Sequence, residues 1–120
     1  MARKNKTPEK TNVEKPILKY LKTIGVFAFS VNCGFIPIGK VRFFRATSIN
    51  GVPDIIAIHD GKFIGIECKY GTGTQQESQK EFERLSKDAG AVYILAYSLD
   101  DVKKYFNENY GLNDKQTTFL

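Results

Sequence analysis

The sequence predicts an α/β fold, a mixed β-sheet flanked by helices in the order αβββαβα. Three observations predict it. Apolar residues recur at helical spacing in separate stretches, and short apolar runs rich in isoleucine, valine and phenylalanine lie between them. One pair of those runs is joined by a tight turn, which sets neighbours antiparallel. The last run is reached through a helix, and such a crossover sets two strands parallel.

The first helix is expected from Asn12 to Ile24, with Thr11 as its cap and Glu14 three residues on, a capping-box spacing. Val13, Ile17, Tyr20, Leu21 and Ile24 form its apolar stripe. Pro16 removes one backbone donor but stands early enough to be tolerated, and Gly25 ends the helix. Residues 1–11 read as a basic flexible arm. Val26 to Asn32 reads as a strand, and Cys33 to Arg45 as a loop or irregular hairpin marked by Gly34, Pro37 and Gly39. Ile55 to Ile58 and Phe63 to Lys69 are strands joined by Asp60-Gly61, a strong hairpin signal. Gly71 to Thr74 is a loop. Gln75 to Asp88 is a second helix with Phe82 and Leu85 inward, closed by Gly90. Ala91 to Tyr97 is an apolar strand. Ser98 caps a third helix to Glu108, with Asp101 as its acidic partner, and residues 109–120 read as a weakly structured tail. The folded domain is thus expected over residues 12–108.

At 120 residues the chain suits one domain, long enough to bury a core without metal or disulfide staples. It holds no apolar stretch of bilayer length, and its polar, basic start does not read as a signal peptide. The expected compartment is therefore cytoplasmic. Cys33 and Cys68 fit reduced thiols rather than a disulfide, and with His59 as the single histidine there is no ligand set for structural zinc. The net charge is +5. Residues 1–22 carry seven basic side chains (Arg3, Lys4, Lys6, Lys10, Lys15, Lys19, Lys22) against Glu9 and Glu14, so seven minus two puts +5 there. A polyanion suits such a segment; so does a merely solvated tail.

Turn arithmetic brings chemistry together. With Asp60 and Gly61 as the turn, cross-strand partners have numbers that sum to 121, so Asp54 falls opposite Glu67. Directly opposed residues share a face with Cβ atoms about 4.5–5.5 Å apart. Lys69, two residues past Glu67, shares that face. Two carboxylates and an amine thus meet in an otherwise apolar hairpin. Opposed like charges destabilise a sheet, and a divalent cation held by both would offset the repulsion. Oxygen ligands favour Mg²⁺, with Mn²⁺ as substitute, over zinc. Lys69 could then polarise or deprotonate an attacking water. The other reading is a plain charge cluster at a sheet edge. A bulged turn would move Asp54 to the opposite face.

The segment Gly51-Val52-Pro53-Asp54 followed by Glu67-Cys68-Lys69 resembles the PD-(D/E)XK nuclease pattern, and more closely the virus-type replication-repair nuclease (VRR-NUC) family. That family shows a Glu in its first helix, a G-x-P-D segment, an E-x-K strand and a Gln in the next helix, matched here by Glu14, residues 51–54, residues 67–69 and Gln79. The resemblance spans roughly residues 12–105. It implies a restriction-endonuclease-like core and metal-dependent phosphodiester hydrolysis. By the same resemblance Asp54, Glu67 and Glu14 would ligate the metal, with Glu14 alternatively only a helix cap. Lys69 would activate water and Gln79 would hydrogen-bond near the lysine or a phosphate, or else merely face solvent. Stand-alone copies of this domain are typical of phages, resemble Holliday-junction resolvases and pair as homodimers. The implied partners are therefore branched or four-way DNA and a second copy, with no membrane, no small-molecule cofactor and, for a phage protein, host cytoplasm.

Weaker signals surround the motif. Lys40, Arg42 and Arg45 flank Phe43 and Phe44; the basic residues are expected to contact phosphates, and the aromatics either stack on a base or enter the core. Gly71 to Thr74 lacks the following Lys-Ser/Thr of a P-loop and is expected as a mobile loop beside the site. His59 is expected at the surface, away from catalysis, and Tyr70 points opposite to Lys69 without an assigned role. The expected function is a metal-dependent, structure-selective DNA endonuclease. The alternatives are a DNA-binding or assembly protein on the same fold, and a short restriction-type enzyme, for which the chain leaves little room for a base-reading insertion.

Overall fold

The computed structural model describes residues 7–31 and 49–112 in full and 35–38 and 42–45 as backbone. Lys40 and Cys33, the residues before Thr7 and those after Leu112 lie outside the described residues, and so do the side chains of Arg42, Phe43, Phe44 and Arg45.

The first helix starts earlier than expected. A π-helical segment spans Glu9–Glu14 and continues as α1 (Lys15–Thr23). Thr7, rather than Thr11, serves its start: Thr7 Oγ1 accepts the Lys10 N–H at 3.2 Å, and the Thr7 carbonyl accepts the Thr11 N–H at 2.9 Å. Pro8, already helical at φ −55°, favours this earlier start because its ring presets the first turn. Pro16, which cannot donate, stands just after the π segment, where the hydrogen-bond register changes.

The strands are β1 (Phe27–Ser30), β2 (Phe35–Ile38), β3 (Arg42–Arg45), β4 (Ile55–His59), β5 (Lys62–Cys68) and β6 (Val92–Ala96); α2 (Glu77–Asp88) lies between β5 and β6, and α3 (Leu99–Tyr110) follows. The main sheet has the order β1-β4-β5-β6, with β6 parallel to β5 and the other pairs antiparallel. The fold is therefore a mixed α/β sheet flanked by helices, as expected, with β2 and β3 forming a separate antiparallel hairpin inserted between β1 and β4. Of the loop or irregular hairpin expected over residues 33–45, the described backbone forms the hairpin, paired from Phe35↔Arg45 to Ile38↔Arg42. The β4–β5 turn takes positive φ at Asp60 (55°) and Gly61 (73°), the geometry of a two-residue hairpin turn. Ile55 faces Ile66 and His59 faces Lys62, the register that sums to 121.

One face of the sheet holds the core. Ile55, Ala57, Ile64, Ile66, Cys68 and Ala96 pack against Val13, Ile17, Leu21, Val102 and Phe106 of the two flanking helices. The other face is covered differently from expectation. No residue of α2 is buried, and Leu85, expected inward, is 44% exposed; Phe82 is half-buried. The helical stripe is genuine, but it does not bury Leu85. The start of α2 is tied down by polar contacts, described below. The third helix also differs in detail: Ser98 makes no side-chain cap bond, while the Asp101 carboxylate accepts the Tyr97 N–H at 2.8 Å. Its end at Tyr110, two residues past Glu108, is set by Gly111 in the left-handed region.

Candidate active site

The segment before β4 is shaped by three contacts. Gly51 has φ +81°, and a Cβ there would overlap the Ser78 carbonyl in the first turn of α2. Pro53 lies on Gly65, where a Cβ would come within 2.8 Å of the proline ring. A glycine inside a strand signals such a close approach. Asp54 follows: its backbone carbonyl accepts the Val31 N–H at 2.8 Å, extending the β1–β4 ladder, and its Oδ2 accepts the Cys68 N–H at 2.8 Å. The residues 51–54 thus join α2, the sheet and the carboxylate in one turn of chain.

Glu67 sits in β5 on the face opposite the core and is 3% exposed. Its Oε2 accepts a 2.8 Å hydrogen bond from Gln79 Nε2 and lies 3.6 Å from Lys69 Nζ. Its Oε1 is buried without a hydrogen-bond partner. Burial, then the negative charge of Asp54, push its pKa up to about 8, and the Lys69 ammonium opposes them. The Asp54 carboxylate is near enough to share a proton with it. Asp54, Glu67 and Lys69 are therefore brought together as the turn arithmetic predicts. Lys69 is itself buried, and its backbone N–H bonds the Ala96 carbonyl at 2.9 Å, so the β5–β6 ladder positions it.

Gln79 joins the same group by a route that spacing does not reveal. Its Oε1 accepts the Gln76 N–H at 2.8 Å and so caps α2, while its Nε2 donates to Glu67. The position needs an acceptor and a donor on one side chain, which an amide supplies and a carboxylate does not. The solvent-facing alternative for Gln79 is thereby set aside. Glu14 is also not a cap for Thr11. It is buried at the end of the π segment, with Lys10 Nζ 3.2 Å from both its oxygens. Burial raises its pKa, Lys10 lowers it, and the charge of Asp54 raises it further.

Several neighbours of the site lie outside the residues that the sequence singles out. Gln75 Nε2 donates to Glu83 Oε1 at 3.0 Å and to Tyr93 Oη at 3.3 Å, and Tyr93 pairs with Gly65, two residues before Glu67 on the same strand. Burial pushes the Tyr93 pKa up to about 12. No spacing within the sequence joins residues 75, 83 and 93. Lys10, by contrast, lies four residues before Glu14, a helical pairing that was legible. Tyr97 Oη donates to the Gly73 carbonyl at 2.8 Å, which holds the loop of residues 71–74 beside Lys69. His59 is away from this group: half-buried rather than at the surface, it meets the Phe106 and Tyr110 rings edge-on at 6.0 and 4.7 Å. Burial, and then the carboxylates of Asp54, Glu14 and Glu67, push the Cys68 thiol up, so it is a free core thiol and not a nucleophile.

Among the described residues, no three His, Cys, Asp or Glu side chains converge as a ready-made metal cluster. The donors that meet are two carboxylates, one with a buried, unpartnered oxygen. Such a set fits Mg²⁺ or Mn²⁺, which is commonly held by one or two carboxylates and completes its shell with water and substrate phosphate. It does not fit a zinc site of four protein ligands. Comparison of the chain with family models, curated proteins and solved structures gives no match.

Proposed function

We propose that this chain is a Mg²⁺-dependent DNA endonuclease. One observation carries the reading: Asp54 and Glu67 present opposed carboxylates on a buried hairpin face, with Lys69 3.6 Å from Glu67 and Glu67 Oε1 lacking a partner. A fold gains nothing from placing like charges there unless a cation or proton lies between them. The resemblance to the virus-type replication-repair nucleases supports the same reading, residue by residue.

In this reading Asp54 and Glu67 hold the ion, and Glu14 completes its shell directly or through water. When bound, the ion supplies charge neutralisation on the phosphate and a more acidic water. Asp54 is kept in place by the Cys68 N–H, and Glu67 by Gln79. The Lys69 ammonium, held beside Glu67, faces the position where negative charge grows on the phosphate oxygens as water attacks in line and the 3′-oxygen leaves. Lys40, Arg42 and Arg45, outside the described residues or described there as backbone alone, are the sequence's candidates for contacts to DNA phosphates. Branched or four-way DNA is the substrate class, cut by a homodimer.

A second reading, a DNA-binding protein without catalysis, has one observation in its favour: Glu14 is engaged by Lys10 instead of standing free as a third ligand. Cleavage of matched linear, flapped, nicked and four-way DNA, with Mg²⁺ and with EDTA, separates the two. The expected result is Mg²⁺-dependent cleavage, abolished by EDTA and lowered at least about a hundredfold by Asp54→Asn or Lys69→Ala, with DNA binding retained. Full activity in EDTA, or in either variant, would sink the assignment.

A further inference from the structure

The positive charge of the described helices is concentrated on one of them. α1 carries Lys15, Lys19 and Lys22 and no acid. α2 carries three cations against four acids, and its Lys80, Arg84 and Lys87 all form ion pairs. α3 carries two cations against three acids. Lys15, Lys19 and Lys22 are exposed and stand at helical spacing on one side, spanning roughly 10 Å of helix. The stripe begins at the residue after Glu14, whose carboxylate feels the charge of Asp54, and runs toward the C-terminal end of α1.

At its far end the stripe meets apolar surface. A groove of about 490 Å³ runs between α1 and the outer edge of β1, lined by Leu18, Lys22, Val26 and Ala28 among others. β1 is an edge strand of the main sheet. Phe27 on that edge is 65% exposed, and its ring lies 5.7 Å from that of the exposed Phe29. Cations in a row, ending at two adjoining exposed aromatic rings, match what a single nucleic-acid strand needs: phosphates on the cations, unstacked bases on the rings.

We propose that the Lys15–Lys19–Lys22 face of α1 and the Phe27–Phe29 rings of β1 form a track for an unpaired DNA strand leaving the candidate site. The proposal rests on the nuclease reading for its substrate and adds to it a preference for branched DNA that carries a single-stranded arm.

Binding is measured without cleavage, by fluorescence anisotropy in EDTA, of a labelled oligo-dT and a duplex of equal length over a range of salt. The K15Q/K19Q/K22Q variant should flatten the slope of log affinity against log salt for oligo-dT by about 2, at roughly 0.7 per lost phosphate contact. Phe27→Ala should weaken oligo-dT binding about tenfold with the slope unchanged and the duplex little affected, and Phe27→Tyr should restore it. Circular dichroism checks that the variants fold. An unchanged slope, or equal loss for both DNAs in Phe27→Ala, overturns the proposal. So does equal displacement of oligo-dT by polyglutamate, which would mark an acidic peptide as the occupant. Sedimentation showing that Phe27→Ala only dissociates a dimer overturns it as well. Because no cleavage is read, failure of the nuclease reading appears separately, as intact binding with no Mg²⁺-dependent cutting.

Discussion

Glu67 holds a carboxylate where the fold leaves it almost no water. Its folded pKa, about 8 against an ordinary 4.5, means that the folded chain binds this proton more tightly than the unfolded one. The stability it contributes is complete below about pH 4.5 and is lost as pH rises toward 8. Glu14, also raised by burial, acts in the same direction. A cation bound by the ionised pair would reverse the loss. In EDTA the melting temperature should therefore fall across this interval, and added Mg²⁺ should raise it more at the alkaline end than at the acid end. Scanning calorimetry at both ends checks this, with Glu67→Gln expected to flatten both trends. A Mg²⁺ shift of equal size at both pH values would remove Glu67 as a ligand.

At the scale of elements, α2 is the informative one. It has an amphipathic sequence and no buried residue, so apolar packing contributes little to its docking. Its first turn is held instead by Gln79 on Glu67, by Gln75 on Tyr93, and by the close approach of Gly51 to Ser78. Gly51→Ala would place a Cβ against the Ser78 carbonyl in a backbone region that itself costs an L-residue roughly 1–2 kcal/mol. We expect a loss above about 2 kcal/mol in urea unfolding, accompanied by faster amide exchange at the start of α2. Wild-type stability would mean that the segment relaxes freely and does not position Asp54. The Asp60-Gly61 turn was legible because its dihedrals are local, and the hairpin register followed from it. The inward role expected of Leu85 failed because a helical period reports a stripe, not what lies opposite it.

Across the whole molecule, the sheet separates two jobs. One face buries the core beneath α1 and α3, while the other carries Glu67 near the end where β5, the start of β4, the start of α2 and the π segment converge. In the proposed nuclease reading a single such site would cut one strand. Symmetric cleavage of a four-way junction needs two sites related by a two-fold axis. Sedimentation of the protein, alone and on a junction, should show a dimer, and a strict monomer on the junction would remove the resolvase reading.

By itself the sequence determined the α/β class, the strand order of the hairpin and crossover, and the meeting of Asp54, Glu67 and Lys69. All of these depend on local turn geometry and on the two-residue period of a strand, which reach across a hairpin without further information. Only the tertiary structure decided that Gln79 bridges a helix cap and Glu67. The same holds for the network of Gln75, Glu83 and Tyr93 behind the site. Those contacts join elements far apart in the chain. Their geometry follows from how α2 docks on the sheet, which no periodicity within the segment specifies.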